Sequence, residues 1–169
     1  MQSSNRKKFP QLLLPALGYM VMGNLLSTIM TVSLAPFRGE TLIAGLAIVF
    51  AIAIYLLLVA VPAYKNGLDE HTKLKKSSEG SGVPKYRWLA VGAILWAAML
   101  VISGIYLLGG LPSGAYRLIH GATFQLNSFV RLPYIPIVNA CFYALTIPAC
   151  HIGFILGLGD KLNKDKIMY

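Results

Sequence analysis

Residues 42–62 carry no charged side chain, and Tyr55 is the one residue among them with a hydroxyl or amide side chain. A helix built from this run is apolar on every side, which suits the centre of a large protein or a lipid bilayer and little else. At 1.5 Å per residue the run covers about the 30 Å of a hydrocarbon layer. Comparable blocks occupy residues 9–34, 88–108 and 133–158, so the second of four spans is expected over 42–64. Only 12% of the residues are charged, and 56% are hydrophobic. Soluble domains carry about 25% charged residues.

These observations predict an all-α fold: a polytopic membrane protein with a four-transmembrane-helix bundle and an amphipathic segment between helices 3 and 4. Residues 1–169 form one membrane domain, with a polar cytoplasmic loop at 65–87 and an external segment at 109–132. The first block follows Arg6, Lys7 and Lys8, and Ser33-Leu34-Ala35 resembles a cleavage site. A signal peptide's apolar core is only 7–15 residues long, so a retained helix is expected instead.

Orientation follows from the basic residues. Twelve of the 15 Lys and Arg lie in the N-terminal tail, the 65–87 loop and the C-terminal tail. These three segments share one side of a four-helix topology. Arg38, Arg117 and Arg131 are left for the other. The positive-inside rule then puts both termini in the cytoplasm, with a bacterial plasma membrane as the expected location. The net charge of +9 is explained by topology and by anionic headgroups on the cytoplasmic side, so the expected partner is the lipid bilayer and not nucleic acid.

Polar groups inside the spans cost energy in lipid and therefore carry information. Asn24, Ser27, Thr28 and Thr31 fall at i, i+3, i+4 and i+7, which places them on one helix face. Gly23 lies beside that stripe. In the fourth block Asn139, Tyr143, Thr146, Cys150, Gly153 and Gly157 step by four and three residues, and Gly153 with Gly157 forms a G-x-x-x-G pair. An antiparallel pairing of the first and fourth helices through these stripes is expected, with Asn24 reaching Thr146. Two readings of the stripes compete. Small and hydroxyl residues hold helices together at about 0.6 kcal/mol per hydrogen bond. A polar path for a substrate or ion is the alternative, and the absence of Asp or Glu within a span argues against it. His151 is the one His, Asp, Glu, Lys or Arg well inside a span. It reads as a proton relay or ligand contact, or, in the preferred reading, as a neutral imidazole bonded to a neighbouring helix. Pro148, three residues earlier, is expected to kink that helix.

Several chemistries are excluded. Cys141 and Cys150 would stand about 13 Å apart on one helix, too far for a disulfide. His71, His120 and His151 fall on different levels of the predicted topology and cannot share a metal. No phosphate-loop or hydrolase-elbow motif occurs. Asp69-Glu70, the one paired carboxylate, reads as a solvated loop pair. Neither a cofactor nor a metal is expected.

The 109–132 segment has no acidic residue and is rich in Tyr116, Leu118, Ile119, Phe124, Leu126, Phe129 and Val130. It reads as a helix lying in the outer interface, with a re-entrant segment or a docking surface as alternatives. Arg117, His120 and Arg131 form a candidate external surface for an anionic ligand or a partner. The candidate intramembrane polar site or packing seam is Asn24, Ser27, Thr28, Thr31, Asn139, Thr146 and His151. The function best matched by these features is a non-enzymatic accessory or scaffold subunit of a membrane complex, with a protein partner or homo-oligomer. A small oligomeric transporter or channel with a polar path between helices 1 and 4 is the alternative. An intramembrane or lipid-modifying enzyme is a third class, for which His151 is the sole reactive group in view.

Overall fold

The computed structural model describes residues 8–34, 41–76, 86–123 and 134–167. These residues form helices and the turns between them, with no strand among them. In chain order the elements are α1 (Phe9–Ser33), α2 (Thr41–Lys76), α3 (Arg87–Leu107), α4 (Ser113–Ile119), a 3-10 turn (Gly121–Thr123), α5 (Ile135–Tyr143) and α6 (Thr146–Ile167). Among the described residues, four helical stretches are long and apolar enough to cross a membrane: Phe9–Ser33, Leu42–Lys73, Arg87–Leu107 and Ile135–Gly159.

Each boundary has a local cause. Pro10 opens α1, where its missing N–H costs nothing. There the Lys8 backbone N–H donates to Gln11 Oε1 at 2.8 Å. At the end of α3, Gly109 takes φ +75°, a conformation that glycine adopts without strain. Its N–H reaches Tyr106 O and the N–H of Gly110 reaches Ile105 O, both at 3.0 Å. This pair of bonds is a Schellman motif, which stops the helix and turns the chain back toward the bundle.

The antiparallel seam of α1 and α2 sets the register. Gly23 faces Tyr55, where an added Cβ would come within 3.2 Å of the ring, and Ser27 Oγ donates to Ala51 O at 2.8 Å. On its other side α2 packs along α6, and α3 packs along α5 and α6. The core is built from Tyr55, Val59, Trp88, Val91, Leu95, Met99, Tyr143 and Phe154. The exterior is apolar too: Leu57 is 68% exposed, Val101 62% and Ile137 60%.

Three expectations are corrected. The segment after Tyr64 is not a loop from its start, because α2 continues to Lys76. Its continuation is amphipathic: Asn66, Gly67, Glu70 and His71 are buried, while Lys65, Asp69 and Lys73 face outward. Glu70 and Lys73 pair across one turn at 3.6 Å, and no proline interrupts the run. The fourth candidate span, expected as one helix kinked by Pro148, is two helices with a break at Ala144 and Leu145, just ahead of that proline. Pro148 has no N–H for Ala144 O and its ring would crowd that carbonyl. Ala144 O accepts instead from Ile147 N–H at 3.1 Å, in a tighter turn.

The third correction concerns pairing. The Gly153 and Gly157 stripe does not face α1. An added Cβ at Gly153 would stand 2.6 Å from Ala60 O, and one at Gly157 would strike Tyr64 O. Both carbonyls belong to α2, which therefore stands between α1 and α6. The apolar composition of α2 concealed this, since bare backbone is what a glycine stripe packs against.

Candidate polar cluster at the α4 end of the bundle

The bundle has a basic end, marked by Lys8, Lys65 and Arg87, and an opposite end closed by α4 and the 3-10 turn. The turned-back chain brings Tyr116 and His120 inward together, one helical turn apart. Both are buried, while Arg117 and Leu118 face outward. Gly121 then crosses α1 so closely that an added Cβ would overlap Thr28 Oγ1 and Asn24 O. This is a close approach that only a residue without a side chain permits.

Asn24 ties the segment down. Its Oδ1 accepts from Tyr143 Oη at 2.7 Å and from the Ala122 backbone N–H at 3.2 Å. Its Nδ2 donates to Met20 O at 3.2 Å, and Thr28 Oγ1 donates to Asn24 O at 2.8 Å. One carboxamide thus joins α1, α5 and the 3-10 turn.

A second chain of polar groups runs through α3, α4 and α5. Asn139 Nδ2 donates to Tyr116 Oη at 2.6 Å. Tyr116 Oη lies 3.5 Å from Ser103 Oγ, which lies 3.2 Å from His120 Nε2. A tyrosine hydroxyl that accepts from Asn139 has its own proton to pass to Ser103, and Ser103 passes its proton to the ring. In that arrangement Nε2 accepts and Nδ1 carries the hydrogen; the other tautomer, with Nε2–H donating to Ser103 Oγ, has the same heavy-atom geometry. Burial pushes the His120 pKa down to about 4 and raises that of Tyr116, so both are neutral at pH 7. Rings knit the two chains together. Tyr106 stacks on Tyr116 at 4.0 Å, Tyr116 meets His120 edge-on at 4.2 Å, and His120 lies 5.2 Å from Tyr143. Tyr55 follows, 5.2 Å from Tyr143 and bonded to Thr146 Oγ1 at 3.0 Å.

The expected site residues are therefore divided. Asn24, Thr28, Asn139 and Thr146 lie in or beside this cluster, but Asn24 bonds to Tyr143 and not to Thr146. Ser27 serves the α1–α2 seam. Thr31 is fully buried, with no partner for its hydroxyl among the described residues. His151 is half-buried, and its Nδ1 has no hydrogen-bond partner among the described residues. The proposed external surface is corrected: His120 is 0% exposed while Arg117 is exposed, so the two do not share a face. Arg131 lies outside the described residues.

Sequence reasoning missed Tyr55, Ser103 and Tyr116 as members, and with them Thr123, whose Oγ1 donates to His120 O at 3.0 Å. One of them carried a readable signal, because Tyr55 is the lone hydroxyl between Leu42 and Pro62. His120 Nδ1 and Asn139 Oδ1 are buried and have no partner among the described residues. No group of three or more potential metal ligands occurs among the described residues. No family model, curated protein or solved structure matches the chain.

Proposed function

We propose that the chain is an integral membrane protein with both termini in the cytoplasm, acting as a non-enzymatic accessory or scaffold subunit. The observation that carries this reading is the internal use of the polar cluster. Asn24, Tyr143, Tyr116 and Ser103 direct their hydrogen bonds at one another and at backbone, and thereby fasten α4 to the bundle. Such groups do packing work. A polar interior inside an apolar exterior is the arrangement expected in lipid, where backbone and polar side chains must be satisfied within the protein. Orientation rests on the positive-inside count, which places the basic end at the cytoplasmic face. The apolar outer faces of α1, α3 and α5 are then open to lipid and to a partner helix.

The test is the mass of the full chain extracted in mild detergent. A stoichiometric hetero-complex or a homo-oligomer is expected, and a lone monomer at all detergent concentrations overturns the reading. Fusions of a fluorescent protein and of alkaline phosphatase to the C-terminus check orientation. Fluorescence without phosphatase activity is the expected result.

One observation favours a second reading, a small transporter or channel. His120 Nδ1 and Asn139 Oδ1 are buried polar atoms without a partner among the described residues, and both residues contact Tyr116. A small molecule with a hydroxyl could bridge them. Flux of small polyols into vesicles, lost in Asn139→Leu, would establish this reading over the first.

A further inference from the structure

A groove of about 270 Å³ opens between α1 and α2 at the basic end, with Leu12, Pro15, Tyr19, Lys65, Asn66 and Trp88 among its walls. We propose that this groove binds the phosphodiester headgroup of an anionic phospholipid. In this assignment the Lys65 ammonium and the Asn66 amide meet the phosphate. Leu12, Pro15 and Trp88 cover the glycerol and the first methylenes.

The two donors are prepared in different ways. Lys65 Nζ donates to Tyr19 Oη at 3.2 Å and lies 5.7 Å from the centre of that ring. Tyr19 takes one of the three ammonium donors and steadies the long side chain. Asn66 is 6% exposed, and its Oδ1 accepts from Trp88 Nε1 at 2.9 Å. That bond fixes the amide plane and leaves Nδ2 without a partner among the described residues. A buried amide donor costs free energy until an acceptor meets it, and a phosphate oxygen is a strong one.

Charge and depth agree with this occupant. No wall residue is acidic. The first turn of α1, with its positive dipole end, borders the groove through Gln11 and Leu12. The register that sets Gly23 against Tyr55 and Ser27 against Ala51 puts Leu12 level with Asn66. Leu12 lies about 30 Å along α1 from Ser33, so the groove falls at the boundary between hydrocarbon and headgroups. Basic pockets between helices on the cytoplasmic side suit anionic lipid headgroups.

This inference rests on the membrane reading above, and the experiment separates the two. The full chain carrying Trp96→Phe, so that Trp88 alone reports, is reconstituted in vesicles with a small fraction of brominated lipid. Brominated phosphatidylglycerol is expected to quench Trp88 more strongly than brominated phosphatidylcholine. Lys65→Gln should lower that preference about fivefold, the effect of one cation at an anionic surface, and Lys65→Arg should keep it. Equal quenching by the two lipids, or an unchanged preference in Lys65→Gln, overturns the groove and leaves the membrane reading standing. Quenching by neither lipid removes both. If excess soluble glycerol 3-phosphate abolishes the preference, the ligand is a free phosphate ester and the lipid assignment is wrong. Native mass spectrometry of the unaltered chain gives a second reading: retained phosphatidylglycerol is expected, and retention equal to that of phosphatidylcholine counts against the site.

Discussion

Tyr143 Oη donates to Asn24 Oδ1 across 2.7 Å, linking α1 to α5 although the residues are 119 positions apart in sequence. The same oxygen accepts from Ala122 N–H. Replacing Asn24 by Leu leaves a buried hydroxyl and a buried amide without an acceptor. The cost should be about 1–3 kcal/mol, above the 0.6 kcal/mol average for an intramembrane hydrogen bond. Unfolding in mixed micelles measures it. Tyr143→Phe should recover part of the loss in the Asn24→Leu background, because it removes one orphaned group. Strict additivity of the two substitutions would show that the bond carries no coupling.

Gly121 makes a second, purely steric prediction. Any Cβ there collides with Thr28 Oγ1 and the Asn24 carbonyl, and a backbone atom cannot swing aside. Gly121→Ala should cost about 2 kcal/mol and speed hydrogen exchange in α4, since the segment must lift off α1. Gly114, with nothing within 4 Å of its added Cβ, is the control. Gly114→Ala should be neutral or slightly stabilising, and equal effects at the two glycines would contradict the docked geometry.

The helices were legible in the sequence because hydrophobic run length has one reading at this scale. The polar stripe of α1 was legible as well, since four residues at helical spacing share a face in any packing. What the stripe faces was not legible. Asn24 could meet Thr146 or Tyr143 with little change in depth, and in the fold Thr146 is taken by Tyr55 while Tyr143 reaches Asn24. The glycines of α6 announced a close neighbour without naming it, for a backbone carbonyl such as Tyr64 O has no signature in sequence. His120 reads outward in the sequence because its segment joins the third and fourth spans on the side opposite the basic tails. The Schellman turn at Gly109 reverses that placement, and a single glycine after a long span is a weak signal for it.

Protonation should weaken the docked segment. The pKa of His120 falls from an ordinary 6.5 to about 4 on burial, so the folded protein holds a neutral ring. Above about pH 7 neither the docked nor the released ring is charged, and the docked state keeps its full stability. As pH drops below 6.5, the released ring takes up a proton that the buried one refuses. Stability then falls until about pH 4, where the docked ring also protonates. The loss amounts to a few kcal/mol at most by linkage. Comparing the chain with His120→Gln between pH 7.5 and 5 isolates this group, since His71 and His151 are present in both. The variant should show the shallower decline, and parallel curves would show that His120 does not titrate in this way.

The α2–α6 seam depends on glycines facing each other. An added Cβ on Gly67 would meet Phe154 O and stand 3.0 Å from Gly157 Cα, while one on Gly157 would strike Tyr64 O. Each obstacle is backbone, so relief requires the two helices to separate. Separation forfeits contact along the most extensive helix pair in the bundle. Gly67→Ala and Gly157→Ala should therefore each cost about 1–3 kcal/mol, in the range of overpacked cores. The double variant should cost less than the sum, because one separation accommodates both methyls. Gly45→Ala serves as the reference, with nothing within 4 Å of its added Cβ. It should gain slightly from helix propensity. Thermal unfolding in detergent, read by the loss of helical circular dichroism, ranks the four proteins. Full additivity of the double variant would place Gly67 and Gly157 on separate contacts and refute the face-to-face seam.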